Sequence, residues 1–205
     1  MDPDNNLILS DPQVVLGAND VVHFAYYGNN GTAWYRKILP DGSLTASQLI
    51  STDLQPDPDA NDGSILPLVF IPETNTLAVI YQHRSGYLWE RRITVNGSSS
   101  PPVQVSDRKV VNNAADSEQA GADAIAHGTV VHVLFIEDGT GSIYHTFIND
   151  TGDWEPSKLL IDDIYGSWVR GSVYTGEDGT SVYGFVYDTG SGGGGGMNKY
   201  AELPL

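Results

Sequence analysis

Cysteine is absent from the 205 residues, which excludes disulfides, thiol nucleophiles and cysteine-ligated zinc together. Cations are scarce. Ten Lys and Arg stand against 26 Asp and Glu, for a formal charge of −16 and an isoelectric point near 4.3. Nucleic-acid phosphates and anionic membrane surfaces attract the opposite balance, so neither is an expected partner. No apolar run approaches the ~18 residues of a membrane-spanning helix, and Met1-Asp2-Pro3-Asp4-Asn5-Asn6 carries no charged-then-apolar signal segment. The 3.6-residue apolar period of helices is missing as well. What is present is 40% hydrophobic residues, enough to build a core beneath an acidic, solvated coat. The expected partner is a small molecule, a glycan or another protein.

Four stretches share one pattern of apolar strand, glycine or asparagine turn, and aromatic strand. They begin at Val21-Val22-His23-Phe24, Thr76-Leu77-Ala78-Val79, Val130-Val131-His132-Val133 and Ser181-Val182-Tyr183-Gly184. Anchored on His23, Ala78, His132 and Tyr183, the steps are 55, 54 and 51 residues. An inner strand precedes each anchor (Val14 to Leu16, Leu66 to Val69, Ala122 to Ile125, Val169 to Ser172), and an outer strand follows the first three (Gln48 to Ser51, Val103 to Ser106, Leu159 to Asp162). Four short antiparallel strands repeated every ~50 residues are the mark of propeller blades. The expectation is an all-β, four-bladed β-propeller in one domain over residues 1–205, with blades at 12–52, 63–107, 120–163 and 167–205. The last unit lacks an outer strand, and Leu7-Ile8-Leu9-Ser10-Asp11 matches Val103-Gln104-Val105-Ser106-Asp107 in spacing. Residues 7–11 are therefore expected to close the ring and cover exposed strand edges. The alternative is part of a larger ring, or a homo-oligomer that completes one.

Leu77-Ala78-Val79-Ile80-Tyr81-Gln82 followed by Tyr87-Leu88-Trp89-Glu90 resembles a blade of the fungal fucose-specific lectin family, and the other units resemble it more loosely. Asn149-Asp150-Thr151-Gly152-Asp153-Trp154 is similar to a degenerate Asp-box of sialidase-type propellers. The lectin resemblance implies a propeller that binds sugars with an Arg on each second strand, a Glu on each third strand and nearby aromatics. Here the Arg positions are read as His23, Ala78, His132 and Tyr183, and the Glu positions as Tyr35, Glu90, His145 and Tyr200. No unit retains the Arg/Glu pair, so the resemblance carries the fold further than the sugar chemistry.

The longest connections, 53–63, 108–121, 164–166 and 188–196, fall on one face, where a ligand is expected to enter. His23 and His132 read either as acid/base or hydrogen-bonding groups of a shared pocket or as structural imidazoles. Arg170, beside Trp168 on an inner strand, either holds an anionic or sugar oxygen or pairs with an acidic neighbour in the channel. Glu90 is a candidate sugar-hydroxyl acceptor or a partner of Arg91 and Arg92. Trp34, Trp89 and Tyr144 read as core, whereas the alternate set Tyr35, Glu90 and His145 reads as cleft-lining. The acidic loop Asp53, Asp57, Asp59 and Asp62 is a solvated surface loop or a calcium loop. The glycine run 192–196 lacks the lysine and helix of a phosphate cradle. Sequons at Asn30, Asn96 and Asn149 point to a secreted protein.

Two functions follow. The first is a lectin-like module holding a glycan or other neutral ligand in inter-blade or central clefts, with Tyr35, Trp89, Glu90, His145, Trp168 and Tyr200 as ligand-binding residues. The second is a cofactor-free enzyme with one asymmetric pocket, its catalytic residues His23, His132, Arg170 and Tyr183. Its chemistry would be a cyclisation of Diels–Alder type on a fungal metabolite, or polysaccharide elimination. Neither reading calls for a metal or a cofactor.

Overall fold

The computed structural model describes residues 13–28, 31–54, 66–111, 121–162, 168–190 and 196–205. The chain is a four-bladed β-propeller. Blade 1 comprises β1 (Gln13–Leu16), β2 (Val22–Gly28), β3 (Thr32–Ile38) and β4 (Gln48–Ser51), and blade 2 comprises β5 (Leu68–Ile71), β6 (Thr76–Gln82), β7 (Leu88–Thr94) and β8 (Val103–Gln104). Blade 3 comprises β9 (Ala122–His127), β10 (Val130–Ile136), β11 (Ile143–Phe147) and β12 (Lys158–Ile161). Blade 4 shows β13 (Val169–Thr175), β14 (Ser181–Thr189) and β15 (Met197–Pro204). All pairs are antiparallel and run in sequence order from the inside of each blade outward. The expected closing strand at 7–11 lies outside the described residues. Among those residues no helix is long and apolar enough to cross a membrane.

Tight hairpins join the strands, and glycine supplies the left-handed backbone where a turn demands it, as at Gly86 (φ 88°) between β6 and β7. The second strands read almost continuously apolar because blades pack on both of their faces. On β6, Leu77, Val79 and Tyr81 face blade 1 in one apolar cluster with Ala25, Tyr27 and Tyr35. The alternate residues Ala78 and Ile80 face blade 3 in a second cluster with Val131, Val133 and Phe135. Leu134, Ile136 and Ile143 of blade 3 then meet Val169, Tyr183, Phe185 and Tyr187 of blade 4 in a third. Among the described residues the core therefore lies in these three seams, each a sandwich of two inner faces.

The register corrects one sequence alignment. The pairs Tyr26↔Trp34, Tyr81↔Trp89, Phe135↔Tyr144 and Tyr187↔Lys199 form one repeat column. Counting back three residues from it gives His23, Ala78, His132 and Gly184, not Tyr183. Tyr183 belongs with Leu77 and Val131 and points toward blade 3, whereas His132 alternates with Val131 and Val133 and so shares the opposite face with Leu134 and Ile136. A Cβ at Gly184 would lie 2.7 Å from both the Tyr174 ring and the Tyr200 hydroxyl, so any larger residue there would have to displace these two exposed side chains.

Candidate functional site

The third-strand residues Tyr35, Glu90 and His145 are buried at 2%, 4% and 7% exposure, each facing the following blade. Tyr35 shares a 2.5 Å hydrogen bond with His23, and the His23 ring lies between Tyr35 and Phe70 of blade 2. Burial pushes the His23 pKa down and that of Tyr35 up. In blade 3, His132 Nδ1 and His145 Nε2 are 3.1 Å apart, their rings stacked against Phe147. Desolvation depresses both to about 4. Glu90 accepts Arg92 Nε at 2.5 Å and Trp154 Nε1 at 3.2 Å. Each buried polar group at these positions is thus answered within its own seam.

Blade 4 gathers a second group. The Tyr183 hydroxyl and the Gly171 N–H both donate to Asp123 Oδ2, each at 2.8 Å. Exposed Arg170 donates to the carbonyls of Ala122 and Val169. Burial raises the Asp123 pKa, while the Tyr183 hydroxyl and the Arg170 charge oppose the rise. The half-buried Trp168 gives its backbone N–H to Asp188. Tyr200, 56% exposed, meets Tyr174 and Glu202 on the outer face of β15. The structure therefore joins Tyr183 to Asp123 beside Arg170 and sets His132 on the same face of blade 3 as Asp123, whereas His23 lies in the seam of blades 1 and 2. Asp53 of the acidic loop pairs with Arg84, and Asp57, Asp59 and Asp62 lie outside the described residues. So do Gly192 to Gly195.

An open cleft of about 360 Å³ lies between blades 1 and 2, within the size range of small-ligand sites. Leu49, Ser51 and Asp53 form the blade 1 wall; Tyr81, His83, Trp89, Arg91 and Pro102 form the other. The Trp89 indole is half-buried and tilts against His83 at 5.0 Å between ring centres. Its Nε1–H and the Nε–H of Arg91 are both buried and have no hydrogen-bond partner. Two orphaned donors in one cleft are unusual, because a buried donor without an acceptor costs about 1–3 kcal/mol.

Repeat symmetry shows that the seam of blades 2 and 3 does not repeat this cleft. Arg91 corresponds to Arg36 and Thr146, which donate to the carbonyls of Thr45 and Glu155. The equivalent carbonyl in blade 2 belongs to Ser100, and Arg91 does not bond it. Trp89 corresponds to Tyr144, whose ring is covered by the Arg108 guanidinium at 4.4 Å, held in turn by Glu137 at 2.6 Å. The seam of blades 2 and 3 is filled by the protein's own cation, whereas the seam of blades 1 and 2 is open. Sequence reasoning singled out Trp89 but missed Tyr81, His83 and Arg91. Alternation was the signal available: Glu90 and Arg92 share one face of β7, which leaves Arg91 beside Trp89.

No protein-family model matches the chain, and no curated protein matches it in sequence. Solved structures do. The BP39L lectin of Burkholderia pseudomallei is similar over 96% of this chain and 55% of its own, at 14% identity and a TM-score of 0.63. An α-L-arabinanase of Penicillium chrysogenum, solved with arabinobiose, is similar over 98% and 65% at 11% identity and TM-score 0.58. The Aleuria aurantia lectin, solved with Fucα1-6GlcNAc, is similar over 96% and 63% at 15% identity and TM-score 0.54. What the three have in common with this chain is the propeller fold. The chain spans between about half and two thirds of their lengths.

Proposed function

We propose that this propeller is a lectin-like glycan-binding module and that the cleft between blades 1 and 2 holds the sugar. The observation that carries the reading is a half-buried indole in an open cleft whose own N–H and the neighbouring Nε–H of Arg91 are both unanswered. An indole face takes the C–H surface of a sugar ring, and fixed N–H groups take its oxygens. The fold of sugar-binding and sugar-cleaving proteins supports the same reading, as does the filled equivalent seam, which makes the expected stoichiometry one. Nothing in the cleft pairs two carboxylates for glycoside hydrolysis, since its one described acid, Asp53, is tied to Arg84. Secretion, which the sequons suggest, would place such a module where glycans are exposed.

The test is a glycan array followed by titration of the hits, read through tryptophan fluorescence and calorimetry. Trp89→Ala is expected to weaken binding at least tenfold while leaving the melting curve close to that of the parent. An array without hits would refute the reading.

A further inference from the structure

We infer that the saccharide this cleft selects is a carboxylated one, with Arg91 as the residue that sets the preference. The inference rests on the glycan reading and deepens it. Among the described residues Arg91 makes no hydrogen bond and no ion pair, although it is only half exposed and its Nε–H is buried in the cleft wall. Arginines elsewhere in the blades have a partner: Arg36 a carbonyl, Arg84, Arg92 and Arg108 carboxylates, although the buried Nη2 of Arg92 is left unanswered. The one carboxylate among the described lining residues, Asp53, is neutralised by its ion pair with Arg84. The cleft is thus a cationic point in a chain whose formal charge is −16.

The donor geometry distinguishes a carboxylate from a hydroxyl. Arg91 and Trp89 alternate on one face of β7 and both line the cleft. Both are donors only, and a guanidinium matches the two oxygens of a carboxylate in a planar fork. A sugar hydroxyl brings a proton that neither donor can accept and leaves the guanidinium charge unmatched, whereas a carboxylate only accepts and neutralises that charge. The indole face remains available for the ring. A uronic acid and a sialic acid each carry this group, and the two differ in how far it projects from the ring.

The experiment titrates the full chain with methyl glucuronide, its methyl ester, methyl glucoside and the methyl glycoside of N-acetylneuraminate, read by Trp fluorescence and calorimetry. The glucuronide or the sialoside is expected to bind about tenfold or more tightly than the neutral sugars, and whichever binds better names the source. Arg91→Gln is expected to bring the ratio close to one. The methyl ester has the shape of the glucuronide without its charge, so the comparison stands even where the variant does not fold. Equal affinity for acid and ester, or a preference that survives Arg91→Gln, overturns the inference while neutral-sugar binding keeps the glycan reading. Absence of binding by any sugar, including the array, overturns both.

Discussion

The indole N–H of Trp154, at the approach to the outer strand of blade 3, donates to the buried carboxylate of Glu90 in blade 2 across 3.2 Å. The other oxygen of Glu90 takes Arg92 Nε at 2.5 Å. One acid thereby answers a donor from each side of the seam. Removing one partner of a buried pair leaves the other charge stranded. Glu90→Ala is expected to destabilise the protein by about 2–4 kcal/mol in denaturant titration. Glu90→Gln, which keeps an acceptor for Trp154, is expected to cost less. Equal losses would mean that the Trp154 bond contributes nothing.

Acid should loosen blade 3 through its histidine pair. His132 and His145 titrate near 4 in the folded chain against about 6.5 when unfolded. Between those values the unfolded chain binds protons that the folded chain refuses, so stability falls as pH drops and is complete above about 6.5. Each histidine contributes a slope of up to about 1.4 kcal/mol per pH unit in that window. Many carboxylates titrate nearby, so the informative quantity is a difference. Denaturant midpoints of the parent and of His132→Leu/His145→Leu, measured from pH 4 to 7.5, should converge on acidification. A constant gap across that range would contradict the depressed values.

Arg108 gives a third expectation. It covers Tyr144, the counterpart of Trp89, and is tied to Glu137. Arg108→Ala should uncover the ring and create a second, weaker sugar site in the seam of blades 2 and 3. The stability cost is expected to stay near 1 kcal/mol or below, since the ion pair is solvent-exposed. Calorimetric stoichiometry with any ligand of the first cleft should rise from one toward two. An unchanged value of one would show that a bare Tyr144 is not enough.

The blades were legible because their strands are short, turn-bounded and spaced by about 54 residues. The fourth unit misled by one residue. Its inner hairpin pairs Thr175 with Ser181, whereas blade 3 pairs His127 with Val130, so turn length shifts the count and an aromatic at 183 resembles the histidines in size. A one-residue slip moves a side chain to the other face of its blade. The cleft was less legible still. Arg91 adjoins Glu90 in sequence, but the strand turns them to opposite faces, and Glu90 pairs with Arg92 instead. The openness of one seam and the filling of the next depend on where Arg108 folds, and no local pattern encodes that.

The same shift of face gives Tyr183 a structural task that can be measured. Its hydroxyl donates to Asp123 at 2.8 Å and so ties blade 4 to blade 3. Burial raises the Asp123 pKa, and the Tyr183 bond restrains that rise by favouring the charged form. Tyr183→Phe removes the restraint, so the Asp123 pKa should climb further. The charged carboxylate then keeps only the Gly171 N–H and the nearby Arg170 charge. At high pH the loss is that of a hydrogen bond to a charged acceptor, about 1.5–3 kcal/mol. Below the folded pKa the acid is protonated in both proteins, and the loss shrinks to that of a neutral bond. Stability differences between parent and variant should therefore narrow as pH falls from 8 toward 4. Carbon-13 titration of the Asp123 carboxyl should show the upward shift directly, and a difference that stays flat with pH would exclude a charged Asp123 as the acceptor.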